Sequence, residues 1–220
     1  MKKHRFIKTV CVLLALLLVC PAALAAAQAK AAGDNETAVF AYLTGEMGLN
    51  EAAACGVLAN IAVESGFNPH AGGDGGTSYG ICQWHASRYT RLRNYCAGQG
   101  LDYTTLRGQL SYLAYELENY YPRVLSCLQG VSNTAEGAYD AGYEWCYRFE
   151  IPAGYASGVS VSRGNSAKTA YWPVYEPKPP LTASEKAAAV SAKNPAALQR
   201  IITRMADMIR AVLSVLSRKF

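Results

Sequence analysis

The sequence predicts a mainly α-helical fold for the central part of the chain. Leu106, Leu110, Leu113 and Leu117 recur at spacings of four, three and four, which places them on one face of a helix. No alternating run of apolar and polar residues is long enough to form a central sheet. Hydrophobic residues make up 51% of the 220-residue chain and charged residues 17%, a composition typical of globular proteins and not of disordered or collagen-like ones.

The first 25 residues are typical of a secretory signal peptide. Basic residues precede an apolar run from Val10 to Val19, and a small-residue triplet ends at Ala25. The run is shorter than the about 20 apolar residues that a transmembrane helix needs. We therefore expect cleavage and export, with an uncleaved anchor as the main alternative. A lipoprotein is disfavoured, because Cys20 follows the bulky pair Leu18-Val19.

Residues 34–172 form the predicted folded domain. Helical patterns separated by glycine-rich breaks occupy residues 36–47, 50–65, 87–97, 104–119 and 134–148. A helical domain of this length can bury a substantial apolar core.

The composition changes after residue 172. Four prolines and an Ala/Ser/Lys-rich stretch predict a stiff linker over residues 173–194. In residues 195–220, apolar positions alternate at spacings of three and four beside five basic residues, which predicts a basic amphipathic helix. That helix could pack on the domain, form a coiled coil, or lie on an anionic membrane surface.

The positive charge of the chain lies at its two ends. The formal net charge of +5 comes from the signal sequence and the C-terminal helix, and the middle of the chain is net negative. The middle also lacks a phosphate-binding loop of the GxxxxGK type. The sequence therefore predicts no nucleic-acid partner.

Five cysteines remain after removal of the signal peptide: Cys55, Cys82, Cys96, Cys127 and Cys146. Export allows disulfides, so we expect at most two bridges and one unpaired thiol. The alternative is that several are small buried residues. The absence of CxxC spacing and the presence of only three histidines argue against a metal site, and no cofactor is predicted.

Glu64 is the main candidate for chemistry. Asn50 is a plausible N-cap and Gly66 a helix stop, which places Glu64 in the last turn of the helix. Apolar surroundings and the negative end of the helix dipole would both raise the pKa of this carboxyl. A carboxyl that keeps its proton near neutral pH is suited to act as a general acid in glycosidic cleavage.

The segment after Glu64 is suited to a polysaccharide. Residues 72–80 form a glycine-rich loop, in which backbone and ligand can approach closely. Gln83 and Trp84 then offer an amide and an indole, which can bond sugar hydroxyls and stack on the flat faces of sugars.

The stretch Glu64-Ser65-Gly66, the Gly/Asp-rich loop and Ser78-Tyr79-Gly80-Ile81-Cys82-Gln83-Trp84 resemble the phage tail lysozyme family of peptidoglycan hydrolases. The resemblance extends over about residues 38–171. Further matches are Asn60-Ile61, Arg88, Leu92, Phe149-Glu150-Ile151-Pro152, Arg163 and Ala167.

The resemblance implies a lysozyme-like α-helical domain with a substrate cleft and Glu64 as catalytic acid. The implied reaction is muramidase cleavage of the β-1,4 bond between N-acetylmuramic acid and N-acetylglucosamine in peptidoglycan glycan strands. Ser78, Tyr79, Gln83 and Trp84 would bind the saccharide. Trp84 would stack on the saccharide or support the Glu64 helix. Asp74 would hold the attacking water, or it is an ordinary turn residue.

Three alternatives remain open at this stage. A lytic transglycosylase would use the sugar's own 6-hydroxyl and leave 1,6-anhydro ends. A non-catalytic wall-binding module would keep the scaffold without the chemistry. A Cys/His peptidase would use Cys82 and His85, although their three-residue spacing does not match a known nucleophile geometry. In each case the signal peptide predicts a secreted or cell-envelope protein.

Overall fold

The computed structural model describes residues 33–154, 156 and 158–177. The predicted signal peptide, most of the predicted linker and the predicted C-terminal helix lie outside the described residues. Within them the chain is mainly helical, as predicted. No helix in the described part is both long enough and apolar enough to cross a membrane.

The helices and strands follow one another along the chain in a single series. The α-helices are α1 (33–45), α2 (Glu51–Ser65), α3 (Ser87–Gly98), α4 (Leu106–Asn119), α5 (Pro122–Gly130), α6 (Ala135–Trp145), α7 (Val159–Ser166) and α8 (Trp172–Tyr175). Between α2 and α3 lie β1 (Gly72–Gly73), a 3₁₀ turn (Asp74–Gly76), β2 (Ser78–Tyr79) and β3 (Trp84–His85). Two π-helical segments, Cys146–Glu150 and Ala167–Tyr171, follow α6 and α7.

Helix α2 is the centre of the domain, since every residue from Ala52 to Ile61 is buried. Its small residues permit close packing: a Cβ atom on Gly56 would lie 2.5 Å from the backbone nitrogen of Gly142 in α6. The buried Asn60 side chain donates to the carbonyl oxygens of Gly56 (2.9 Å) and Gly142 (3.0 Å). This polar bridge fixes α2 against α6 and thereby positions the C-terminal end of α2.

The predicted glycine-rich loop is a small antiparallel sheet, with β2 between β1 and β3. Gly73 pairs with Ser78, and Ser78 pairs with His85. Strands of two residues show no hydrophobic alternation, so the sequence pattern could not reveal them. The sheet follows α2 directly and therefore lies at the Glu64 end of that helix.

The predicted disulfides are absent, which corrects the expectation from export. All five cysteines in the described part of the chain are free thiols, and all but Cys127 are buried. The four buried cysteines are part of the apolar core, which is the alternative that the sequence left open.

The folded domain continues beyond the predicted boundary at residue 172. Tyr175 in α8 stacks on Phe40 in α1 with ring centroids 4.2 Å apart. Its hydroxyl group donates to Glu36 over 2.7 Å. These contacts place the first residues of the predicted linker in the domain.

Candidate active site

Glu64 lies in the last turn of α2, as predicted. The Asn50 side chain accepts a hydrogen bond from the Ala53 backbone N–H (2.8 Å), and Gly66 ends the helix in the left-handed region with φ of 58°. The Glu64 side chain is 20% exposed. Its carboxyl group is thus largely enclosed but still reaches solvent.

Two opposing effects determine the proton affinity of Glu64. Burial raises the pKa of Glu64 above its usual range, in the direction that the sequence predicts. The charge and hydrogen bond of Arg163 lower it, as does the charge of Arg88. Arg163 Nη2 lies 3.4 Å from Glu64 Oε1. Burial has the larger effect, so the carboxyl favours its protonated form more than a free glutamate does.

Ser65 connects the end of α2 to the segment that precedes Trp84. Its hydroxyl group donates to the carbonyl oxygen of Ile81 over 2.9 Å. The buried Gln109 side chain accepts from the Ile81 N–H (2.9 Å) and donates to the Pro69 carbonyl (2.7 Å). Gly80 has φ of 80°, and a Cβ atom there would lie 2.7 Å from the Gln109 side chain. The loop is therefore fixed beside Glu64, by a glutamine that sequence reasoning missed.

Gln83 supports the loop from within. Its side-chain nitrogen donates to the carbonyl oxygens of Ala71 (3.1 Å) and Gly80 (3.0 Å). Its side-chain oxygen lies against Gly73, where a Cβ atom would be 2.3 Å away. The side-chain amide that the sequence predicts to bind a saccharide thus makes bonds within the protein, and its role in saccharide binding stays a prediction.

Trp84 is fully buried and offers no surface on which a sugar could stack. Its indole N–H donates to Glu116 Oε2 over 2.7 Å. Of the two roles predicted for Trp84, the structure therefore favours support of the site over stacking.

Glu116 and Arg88 form a buried ion pair that the sequence analysis missed. Arg88 Nε and Nη2 donate to the two Glu116 oxygens at 2.9 and 3.0 Å, and the Tyr112 hydroxyl adds a third donor at 3.2 Å. With Trp84, these donors satisfy a carboxylate that is fully buried. The sequence does contain a sign of this buried charge, because Glu116 lies between Leu113 and Leu117 on the apolar face of α4.

Asp74, Ser78 and His85 form a polar cluster on the sheet. The Ser78 hydroxyl donates to Asp74 Oδ2 over 2.5 Å and lies 3.1 Å from His85 Nδ1. Asp74 adopts φ of 49°, and its side chain is 69% exposed. The structure therefore shows Asp74 as an exposed carboxyl fixed by its neighbours, and its predicted role in holding water stays a prediction.

Tyr79 belongs to a group of three tyrosines. Its ring stacks on Tyr89 with centroids 5.2 Å apart and lies 5.7 Å from Tyr103. All three rings are partly exposed. Tyr89 and Tyr103 come from α3 and the loop before α4, so only the tertiary fold brings them to Tyr79.

Glu150 is a second enclosed carboxyl in this region. The Trp145 indole N–H donates to its Oε1 over 2.9 Å. Burial raises the pKa of Glu150 to about 8, the Arg88 charge opposes this effect, and the Glu64 charge adds to it. Glu150 therefore lies close enough to Glu64 for the charge of Glu64 to affect its pKa.

The remaining sequence candidates do not support other chemistry. Cys82 is buried, and burial raises the pKa of its thiol well above the usual range, which disfavours the thiolate that a Cys/His peptidase needs. In the residues that the structure describes, no group of three or more His, Cys, Asp or Glu side chains could hold a metal ion.

Comparison with known proteins places this site in a family. No curated protein matches the chain. The family model described as phage tail lysozyme matches residues 34–172, which contain all the site residues described above. Since the match covers more than half of the chain, the protein belongs to the phage tail lysozyme family of lysozyme-like peptidoglycan hydrolases.

Proposed function

We propose that this protein is a muramidase that hydrolyses the β-1,4 bond between N-acetylmuramic acid and N-acetylglucosamine, with Glu64 as general acid. The observation that carries the proposal is the environment of Glu64. The Glu64 side chain is 20% exposed, and burial raises the pKa of its carboxyl group. A carboxyl whose pKa is raised and that still reaches solvent is suited to deliver a proton to a bound substrate.

In the proposed reaction, Glu64 gives its proton to the glycosidic oxygen while the bond from that oxygen to C1 of the sugar breaks. Positive charge develops at C1 and the ring oxygen. Water adds to C1 and loses a proton to a carboxylate, for which Asp74 is the candidate. In the alternative transglycosylase reaction, the sugar's own 6-hydroxyl adds to C1, gives its proton to the Glu64 carboxylate and forms a 1,6-anhydro ring.

We further propose that the protein acts outside the cytoplasm. The basic and apolar pattern of residues 1–25 supports export. The basic helix predicted for residues 195–220 would then hold the enzyme near a membrane or a partner.

Digestion of purified peptidoglycan by the wild type and by Glu64→Gln tests the proposal. Glutamine keeps the size of the side chain but has no acidic proton, so we expect loss of cleavage by at least about 100-fold. Glu118→Gln, at an exposed glutamate of α4, is the matched control and should digest like the wild type. Equal digestion by wild type and Glu64→Gln would exclude Glu64 as the acid.

Mass spectrometry of the fragments distinguishes the possible reactions. Reducing muropeptide ends indicate hydrolysis, whereas 1,6-anhydro ends indicate a transglycosylase. If Asp74 holds the water, Asp74→Asn should release reducing ends at least about tenfold more slowly. A wild-type protein that binds peptidoglycan without releasing fragments would instead be a wall-binding module.

A further inference from the structure

Arg163 is the residue that α7 brings to Glu64. Close packing of glycines makes this possible: Gly164 in α7 lies against Tyr139, and Gly142 in α6 lies against the Arg163 backbone. A Cβ atom on Gly164 would be 2.7 Å from the Tyr139 ring. Helix α7 can therefore approach α6 closely enough for its arginine to reach the end of α2.

The Arg163 guanidinium is enclosed and pairs with Glu64. Its side chain is 13% exposed, and the distance from Nη2 to Glu64 Oε1 is 3.4 Å. Its Nε atom is buried and has no hydrogen-bond partner among the described residues. Since the ion pair is partly enclosed, salt and water screen it less than they screen a surface pair.

Other charged groups near Glu64 belong to different elements. Arg88 on α3 adds a second positive charge near Glu64. The negative charge of Glu64 in turn acts on Glu150, whose pKa it raises. The thiols of Cys82 and Cys146 lie within range of both carboxyls. Of these groups, Arg163 is the one that both contacts Glu64 and favours its ionised form.

We propose that Arg163 is a positioning residue of the active centre: its positive charge favours the ionised form of Glu64 and thereby sets the pH above which activity is lost. This inference rests on the proposed role of Glu64 as the acid. An acid must be protonated to act, so activity is lost as the pH rises through its pKa. A neighbouring positive charge moves that loss to lower pH, and removal of the charge moves it to higher pH.

The test measures initial rates of fragment release from peptidoglycan across about pH 4 to 10. The substrate concentration is kept low, because rates under that condition report the pKa values of groups in the free enzyme. Each variant is normalised to its own maximum. We expect Arg163→Gln to move the alkaline limb upward by about one pH unit. Where the wild type retains about a tenth of its activity, Arg163→Gln should then retain about half.

Two further variants separate charge from packing. Arg163→Met keeps the apolar stem of the side chain and should show the same displacement of the alkaline limb as Arg163→Gln. This variant provides the test if Arg163→Gln does not fold. Arg163→Lys keeps the positive charge and should follow the wild-type limb. Lys168→Gln is the control for loss of a positive charge, because Lys168 pairs with Glu136 at the surface, and it should also follow the wild type.

Alkaline limbs of Arg163→Gln and Arg163→Met that coincide with the wild type would overturn the inference. An equal displacement for Arg163→Lys would overturn it as well, because charge would then not be the cause. These results are distinct from failure of the proposed function, which would appear as full activity of Glu64→Gln.

Discussion

At the scale of single residues, the two carboxyls near the end of α2 show how surroundings change proton affinity. Burial raises the pKa of both Glu64 and Glu150, but Glu64 also contacts an arginine. Glu150 accepts a hydrogen bond from a neutral indole and has its pKa raised to about 8. The surroundings of Glu150 therefore favour its neutral, protonated form.

This environment makes the free energy of unfolding depend on pH. Because the folded pKa of Glu150 lies above its ordinary value, the stability linked to its proton is fully present below the ordinary pKa. It is lost as the pH rises to about 8. Glu150→Gln stays neutral at all pH values and keeps an oxygen that can accept from Trp145.

We therefore expect the stability that Glu150→Gln gains over the wild type to be larger at about pH 9 than at about pH 5, by on the order of 4 kcal/mol. Thermal or urea unfolding of both proteins at the two pH values measures the difference. Glu118→Gln, which changes an exposed glutamate, should show no such trend. A constant difference between Glu150→Gln and the wild type would mean that Glu150 is ionised at neutral pH.

At the scale of elements, the packing of α2 on α6 holds Glu64 in place. Gly56 is buried in the middle of α2, where a Cβ atom would lie 2.5 Å from the Ala141 Cβ and from the Gly142 nitrogen. Two backbones that approach this closely cannot both stay in place if a methyl group is added.

Gly56→Ala gives a test of this contact. The substitution improves helix propensity by about 1 kcal/mol, but the clash with α6 costs about 3 kcal/mol or more. We expect a net loss of about 2 kcal/mol in the free energy of unfolding, measured by urea denaturation. Gly130→Ala, at the end of α5 with open space around it, should be neutral or slightly stabilising. Unchanged stability of Gly56→Ala would show that α2 and α6 can separate without cost.

Local sequence signals located some elements and missed others for physical reasons. The helices predicted at 50–65 and 104–119 are present as Glu51–Ser65 and Leu106–Asn119, because caps and apolar spacing lie within the segment itself. Helix Pro122–Gly130 was missed because it has only nine residues, too few for its apolar face to stand out as a repeating pattern. The predicted helix 134–148 ends at Trp145 and continues as a π-helical turn, which places Glu150.

At the scale of the whole molecule, all candidate site residues belong to the helical domain. None of them falls within residues 195–220, where the C-terminal helix is predicted. We therefore expect deletion of residues 195–220 to leave digestion of isolated peptidoglycan unchanged. In cells, the same deletion should shift the protein from the envelope fraction to the soluble fraction, as measured by fractionation. An unchanged distribution would argue against a tether.

Local sequence signals were enough to predict the helical class, the end of α2 and the position of Glu64, because periodicity, the Asn50 cap and the Gly66 stop act between residues that are close in the chain. The groups that surround Glu64, in contrast, could not be predicted without the folded structure. Arg163 lies 99 positions away along the chain, and Arg88 pairs with Glu116 across 28. The pKa of a carboxyl depends on burial and on charges that lie near it in space, and chain folding alone brings such groups together.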